Sequence, residues 1–89
     1  MIKETVPIIN KLGLHARAAA KLVSTATHFE SSVKVARNGK EVDGKSIMSV
    51  MMLAASCGTT VDLIIEGADE NEAIDALKTL IADRFGEGE

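Results

Sequence analysis

The stretch SSVKVARNGKEVDG, Ser31 to Gly44, reads as a β-hairpin and decides the sheet around it. Val33 and Val35 alternate with polar residues, and Val42 stands on the return strand beyond Asn38-Gly39. A type I′ turn needs positive φ at both central residues, and Asn-Gly meets that need with little strain. Such a hairpin makes its two strands antiparallel neighbours. Upstream, Ile2, Glu4, Val6 and Ile8 point one way, and Lys3, Thr5, Pro7 and Ile9 the other, which predicts a strand. Pro7 has no N–H to give a ladder, so that strand belongs at a sheet edge. Between strand and hairpin, Ala19, Leu22, Val23 and Ala26 recur at helical spacing, and Phe29 is expected to close that helix onto the core.

Downstream, SIMSVMMLAAS (Ser46–Ser56) predicts a short helix that Gly58 stops. TTVDLIIEG (Thr59–Gly67) predicts a strand with Val61, Leu63 and Ile65 inward. DENEAIDALKTLIADRF (Asp69–Phe85) predicts a helix that buries Ala73, Ile74, Leu77, Leu80, Ile81 and Phe85, with Asp69 and Glu72 spaced as a capping box. The last four residues, 86–89, read as a frayed acidic tail. The order β-α-β-β-α-β-α predicts one domain over residues 1–89. Its expected form is an α/β (α+β) open-faced sandwich: a four-stranded, mostly antiparallel sheet with three helices on one face and the last strand between the first and second.

Composition narrows the function. The chain has 89 residues, 46 % of them hydrophobic, with two Phe and no Trp or Tyr, so the core must be aliphatic. That shortage of rings removes the stacking platforms that bind single-stranded nucleic acid. A net charge of -3 without a basic run argues against nucleic-acid binding in general. The start MIKETVPIIN reads as neither a signal peptide nor a membrane-inserting segment. Cys57 stands alone, which fits a reducing cytoplasm, and reads as a small buried hydrophobe. No metal-ligand spacing, Ser-His-Asp set or paired-carboxylate site is legible, and no cofactor is implied.

GKEVDGKS, Gly39 to Ser46, matches the P-loop pattern letter for letter. The motif needs a strand before it and a helix after it, whereas here Gly39 belongs to a hairpin turn and the four intervening residues to a strand. Nucleotide binding is therefore rejected.

KLGLHARAAAKLV, Lys11 to Val23, places His15 where a helix begins. The first turn of a helix leaves backbone N–H groups without acceptors and carries partial positive charge. The amides of Ala16, Arg17 and Ala18 are the expected phosphate-binding backbone, and the Arg17 guanidinium adds a permanent cation. Gly13 permits the turn that aims the ring. A neutral imidazole there has a lone pair available as nucleophile. Each helix-to-charge contact contributes about 0.3–1 kcal/mol, enough to hold a phosphoryl group without trapping it. His28 reads as a solvated residue near a helix end. In the second helix, Val50, Leu53 and Ala54 are expected to face the core. That leaves Ile47, Met48 and Met51 outward beside Ser46, an apolar patch suited to several partners. Ser46 itself reads as an N-cap.

GLHARAAAKLV, NGKEVDGKSIMSVMMLAAS and DENEAIDAL together resemble, in order and over nearly the whole chain, the HPr/NPr family. These are the histidine-containing phosphocarriers of the bacterial phosphoenolpyruvate-dependent phosphotransferase system. The resemblance implies the open-faced sandwich with sheet order 1-4-2-3. It implies that His15 accepts a phosphoryl group on Nδ1 from phosphorylated enzyme I and passes it to a histidine of an enzyme IIA component, assisted by Arg17. Such a chain is a cytoplasmic, monomeric protein co-substrate rather than an independent turnover enzyme. Ser46 matches the regulatory serine, the target of an HPr kinase/phosphorylase, and Ile47, Met48 and Met51 match the docking face. The family's usual HARPA has proline where this chain has Ala18. Alanine is a good helix former, so function is expected to persist with more freedom at the helix start. Two other readings fit the element order: an ACT-type amino-acid-binding module, which needs no nucleophile, and a plain interaction domain that never carries phosphate.

Overall fold

A computed structural model of the chain describes residues 1–88; Glu89, the end of the expected tail, lies outside the described residues. The elements are β1 (Ile2–Pro7), α1 (Ala16–Thr27), β2 (Ser32–Arg37), β3 (Lys40–Asp43), α2 (Ile47–Met51), β4 (Thr60–Glu66) and α3 (Glu70–Ala82), followed by a tight turn over Arg84–Gly86. The sheet order is β1-β4-β2-β3, all pairs antiparallel. β4 therefore inserts between β1 and β2, and Pro7 lies on an edge strand opposite Thr60. Asn38 and Gly39 have φ of 52° and 81°, as a type I′ turn requires.

One face of the sheet is apolar because the strand period is two. Val6, Val33, Val35, Val61, Leu63 and Ile65 are buried on it, with Val35 directly opposite Leu63. α1 contributes Ala18, Ala19, Leu22, Val23 and Ala26 to the core, and α3 contributes Ala73, Ile74, Leu77 and Ile81. Phe29, Val42 and Leu80 pack at its margin. The core is aliphatic apart from the fully buried Phe85.

Four expectations are corrected. α2 ends at Met51, not near Gly58. Ala54 has φ of 51°, which no right-handed helix accommodates, and it is exposed while Ala55 takes the inward position. Cys57 is exposed in the turn after this segment, its thiol directed at the Ile9 carbonyl. The capping box does not form. Asp69 is the N-cap of α3, but its carboxylate accepts from the amides of Glu30 and Ser31, each at 2.9 Å, and from the Ser31 hydroxyl. Two amides of the α1–β2 loop plus a hydroxyl satisfy that carboxylate better than one helix amide would. These bonds, the Ser31 hydroxyl first, hold its pKa below the ordinary aspartate value.

The fourth correction concerns the C-terminus. α3 stops at Ala82, three residues before the apolar stripe runs out. Arg84, Phe85 and Gly86 follow with φ of 54°, 55° and 74°. A non-glycine residue in this left-handed region costs roughly 1 kcal/mol or more. Complete burial of the Phe85 ring and a 2.6 Å bond from Lys21 Nζ to the Phe85 carbonyl offset that cost. The reversal of hand turns the chain back, so that Glu87 reaches the start of α1.

Candidate functional site

The turn before α1 is built by Asn10. Its carbonyl accepts from the Gly13 amide at 3.1 Å, and its Nδ2 donates to the Gly13 carbonyl at 2.8 Å. Asn at the first position of a turn and Gly at the fourth is a favoured pairing. Gly13 has φ of 69°, and a Cβ there would lie 2.6 Å from the Ala55 carbonyl oxygen. The Leu14 amide donates to that same oxygen at 2.8 Å. This close approach fastens the turn to the segment after α2 and hands the chain to His15.

His15 is the N-cap of α1, with extended backbone, and its carbonyl accepts from the Ala19 amide at 2.8 Å. Intrahelical bonding thus begins at Ala19, and the amides of Ala16, Arg17 and Ala18 have no acceptor within the helix. Ala16 and Arg17 are exposed. Ala18 is not: it lies fully in the core, one helical turn from Leu22, so its amide is closed to solvent in this structure.

The imidazole is half-buried, and its Nε2 is paired with Glu87 Oε2. Glu87 Oε1 accepts from Asn10 Nδ2 at 2.9 Å. Asn10, His15 and Glu87 therefore form a chain in which the carboxylate bridges the buried amide and the ring. The Asn10 bond, then His15 and Arg17, hold the Glu87 carboxyl below the usual glutamate range, against the opposing pull of desolvation. No described residue hydrogen-bonds His15 Nδ1. Beside the pair lies a groove of about 240 Å³ lined by Lys11, Leu12, Arg17 and Glu87. A larger concavity of about 630 Å³ runs along β2 and β3 and contains none of these groups.

His15 and Arg17 lie at the helix start, where the sequence pattern puts them, but that pattern implies only positive potential around the ring. A carboxylate contributed from 72 residues away was not anticipated. Asn10 was also missed, although the N-x-x-G spacing of Asn10 and Gly13 was a usable turn signal.

Ser46 caps α2, its hydroxyl accepting from the Ser49 amide at 3.4 Å. Ile47, Met48 and Met51 are exposed as expected, and Leu12 and Met52 join them as exposed large apolar residues. His28 is exposed at the end of α1, where Nδ1–H donates to the Ser24 carbonyl at 2.7 Å. Among the described residues, no cluster of His, Cys, Asp and Glu could hold a metal ion, and no helix is long and apolar enough to cross a membrane.

The model of the PTS HPr component phosphorylation site matches residues 2–83. The chain belongs to the HPr family of phosphocarriers of the phosphotransferase system. Among its HPr relatives, the phosphocarrier protein HPr of Cupriavidus necator is 63 % identical over 89 residues, covering all of both chains. That of Neisseria meningitidis serogroup A is 56 % identical over the same span. The crystal structure of an HPr from Thermoanaerobacter tengcongensis superimposes with a TM-score of 0.94 at 50 % identity, covering 98 % of each chain. HPr membership leaves the ACT-type reading without support.

Proposed function

We propose that this HPr accepts a phosphoryl group on His15 Nδ1 from phosphorylated enzyme I and delivers it to a histidine of an enzyme IIA component. The observation that carries this reading is the division of the ring: Nε2 is engaged by Glu87, and Nδ1 has no partner among the described residues, at a helix start whose first amides lack acceptors within the helix. In the loading step, the Nδ1 lone pair attacks phosphorus, a P–N bond forms, and the donor on enzyme I leaves with the electrons of its own bond to phosphorus. Delivery is the same displacement in reverse, with His15 as leaving group. The amides of Ala16 and Arg17 and the Arg17 guanidinium receive the phosphoryl oxygens, and Ala18 supports the turn from the core.

Ile47, Met48 and Met51 form the face that docks both partners in turn, and the carrier works as a cytoplasmic monomer. Ser46 is the site of regulatory phosphorylation by an HPr kinase/phosphorylase. About two added negative charges at the cap of α2 would sit beside that face and repel acidic partners. Incubation with phosphoenolpyruvate and enzyme I, followed by intact-mass measurement, tests the carrier role. One acid-labile phosphoryl group is expected on the wild-type chain and none on His15→Ala; an unmodified wild-type chain refutes it. Incubation with ATP and extract of the source cell should yield phosphoserine at Ser46, and its absence refutes the regulatory role.

A further inference from the structure

Resting on the carrier reading, we infer that Glu87 is a positioning residue for phosphoryl transfer: its carboxylate, steered by Asn10, holds the hydrogen of His15 on Nε2 and so dedicates Nδ1 to phosphorus. The inference starts from hydrogen-bond inventory. An ionised carboxylate only accepts, so the ring nitrogen facing Glu87 Oε2 must be the donor. A neutral imidazole has one N–H, and placing it on Nε2 leaves the lone pair on Nδ1.

The carboxylate is not a loose surface group. Its side chain is 9 % exposed, and Oε1 is held by the Nδ2 of Asn10, itself completely buried and tied to the Gly13 carbonyl. The left-handed turn at Arg84–Gly86 and the buried Phe85 ring set where Glu87 arrives. The same logic governs metal-binding histidines, where a carboxylate on one nitrogen orients the ring and sharpens the other.

The device also balances charge through the cycle. When Nδ1 attacks phosphorus, Nε2 keeps its hydrogen and the ring becomes a phosphoimidazolium. Glu87 already faces that nitrogen, so the new positive charge forms against a fixed anion and no proton has to enter or leave. On delivery the P–N bond breaks, the electron pair returns to Nδ1, and the ring departs as a neutral imidazole. Without the carboxylate, the hydrogen distributes over both nitrogens and a fraction of the rings present N–H to the incoming phosphorus.

The test uses the full chain with Glu87→Ala and Glu87→Gln. Nitrogen-15 shifts of the His15 ring report the tautomer directly, a readout that a merely structural role of the tail would leave alone. Wild type is expected to show hydrogen on Nε2, Glu87→Ala a mixture of tautomers, and Glu87→Gln partial recovery through its amide oxygen. The rate of loading by phosphorylated enzyme I should fall about 10-fold in Glu87→Ala and less in Glu87→Gln. Wild-type nitrogen shifts in Glu87→Ala, or a loading rate within about 2-fold of wild type, overturns the positioning role. If the wild-type chain loads no phosphoryl group at all, the carrier reading fails instead, while the nitrogen shifts still decide whether Glu87 sets the tautomer.

Discussion

Replacing Gly13 by Ala tests whether the turn before His15 is held as closely as the structure shows. The residue has φ of 69°, a region where an L side chain costs about 1–2 kcal/mol. The new Cβ would also stand 2.6 Å from the Ala55 oxygen and 2.8 Å from Ser56 Cα. Both are backbone atoms, so neither can swing away as a flexible side chain could. Either the turn or the segment after α2 must move, and the Leu14 amide bond to the Ala55 carbonyl weakens with it, at about 1 kcal/mol. Alanine recovers roughly 0.4–1 kcal/mol by restricting the unfolded chain. The net expected loss is about 1–2.6 kcal/mol, which for a domain of this size lowers Tm by about 4–20 °C. Urea titration and thermal melting followed by circular dichroism measure it. A Gly13→Ala chain that melts within about 3 °C of the parent would show that the close approach does not exist in solution.

Phe85→Ala should cost about 3–5 kcal/mol, a large part of the 5–15 kcal/mol typical of a domain, because the ring is fully buried and offsets a left-handed turn; urea unfolding measures it. Met48→Glu should change stability by less than about 0.5 kcal/mol, since Met48 is 71 % exposed, yet weaken binding to enzyme I and enzyme IIA in calorimetry; loss of folding would place Met48 in the core. Asp69 has a lowered carboxyl pKa in the folded state, so its stabilisation is complete above the ordinary aspartate value of 3.8 and is lost as pH falls through the lower folded value. Asp69→Asn should be less stable than the parent at neutral pH and should lack that acid-dependent component in denaturant titrations. Ala18→Pro should change the loading rate by less than about tenfold, because the amide it removes has no acceptor within the helix.

The HPr sheet was legible because its rules are local. Alternation along β1, β2 and β4, the Asn38-Gly39 turn and the missing donor of Pro7 depend only on neighbours in sequence, and they determine strand pairing and the edge. His15 and Arg17 were legible for the same reason: a histidine followed by a run of alanines marks a helix start wherever it occurs. Ser46 as a cap and the outward Ile47, Met48 and Met51 belong to this class. What local pattern could not supply was the competition between distant partners. Asp69 had the spacing of a capping box, but the amides of Glu30 and Ser31 claimed its carboxylate. Ala54 and Cys57 sit in a segment whose path is decided by contact with Gly13, over forty residues earlier, and not by its own apolar composition. Above all, no local pattern around Glu87 points to a partner for it. Only the packing of Phe85 under α1, and the reversal of backbone hand that this burial sustains, brings Glu87 onto the ring of His15. The position of the ring is written in consecutive residues; the environment of its Nε2 arises from a residue 72 positions away that only tertiary packing brings beside it.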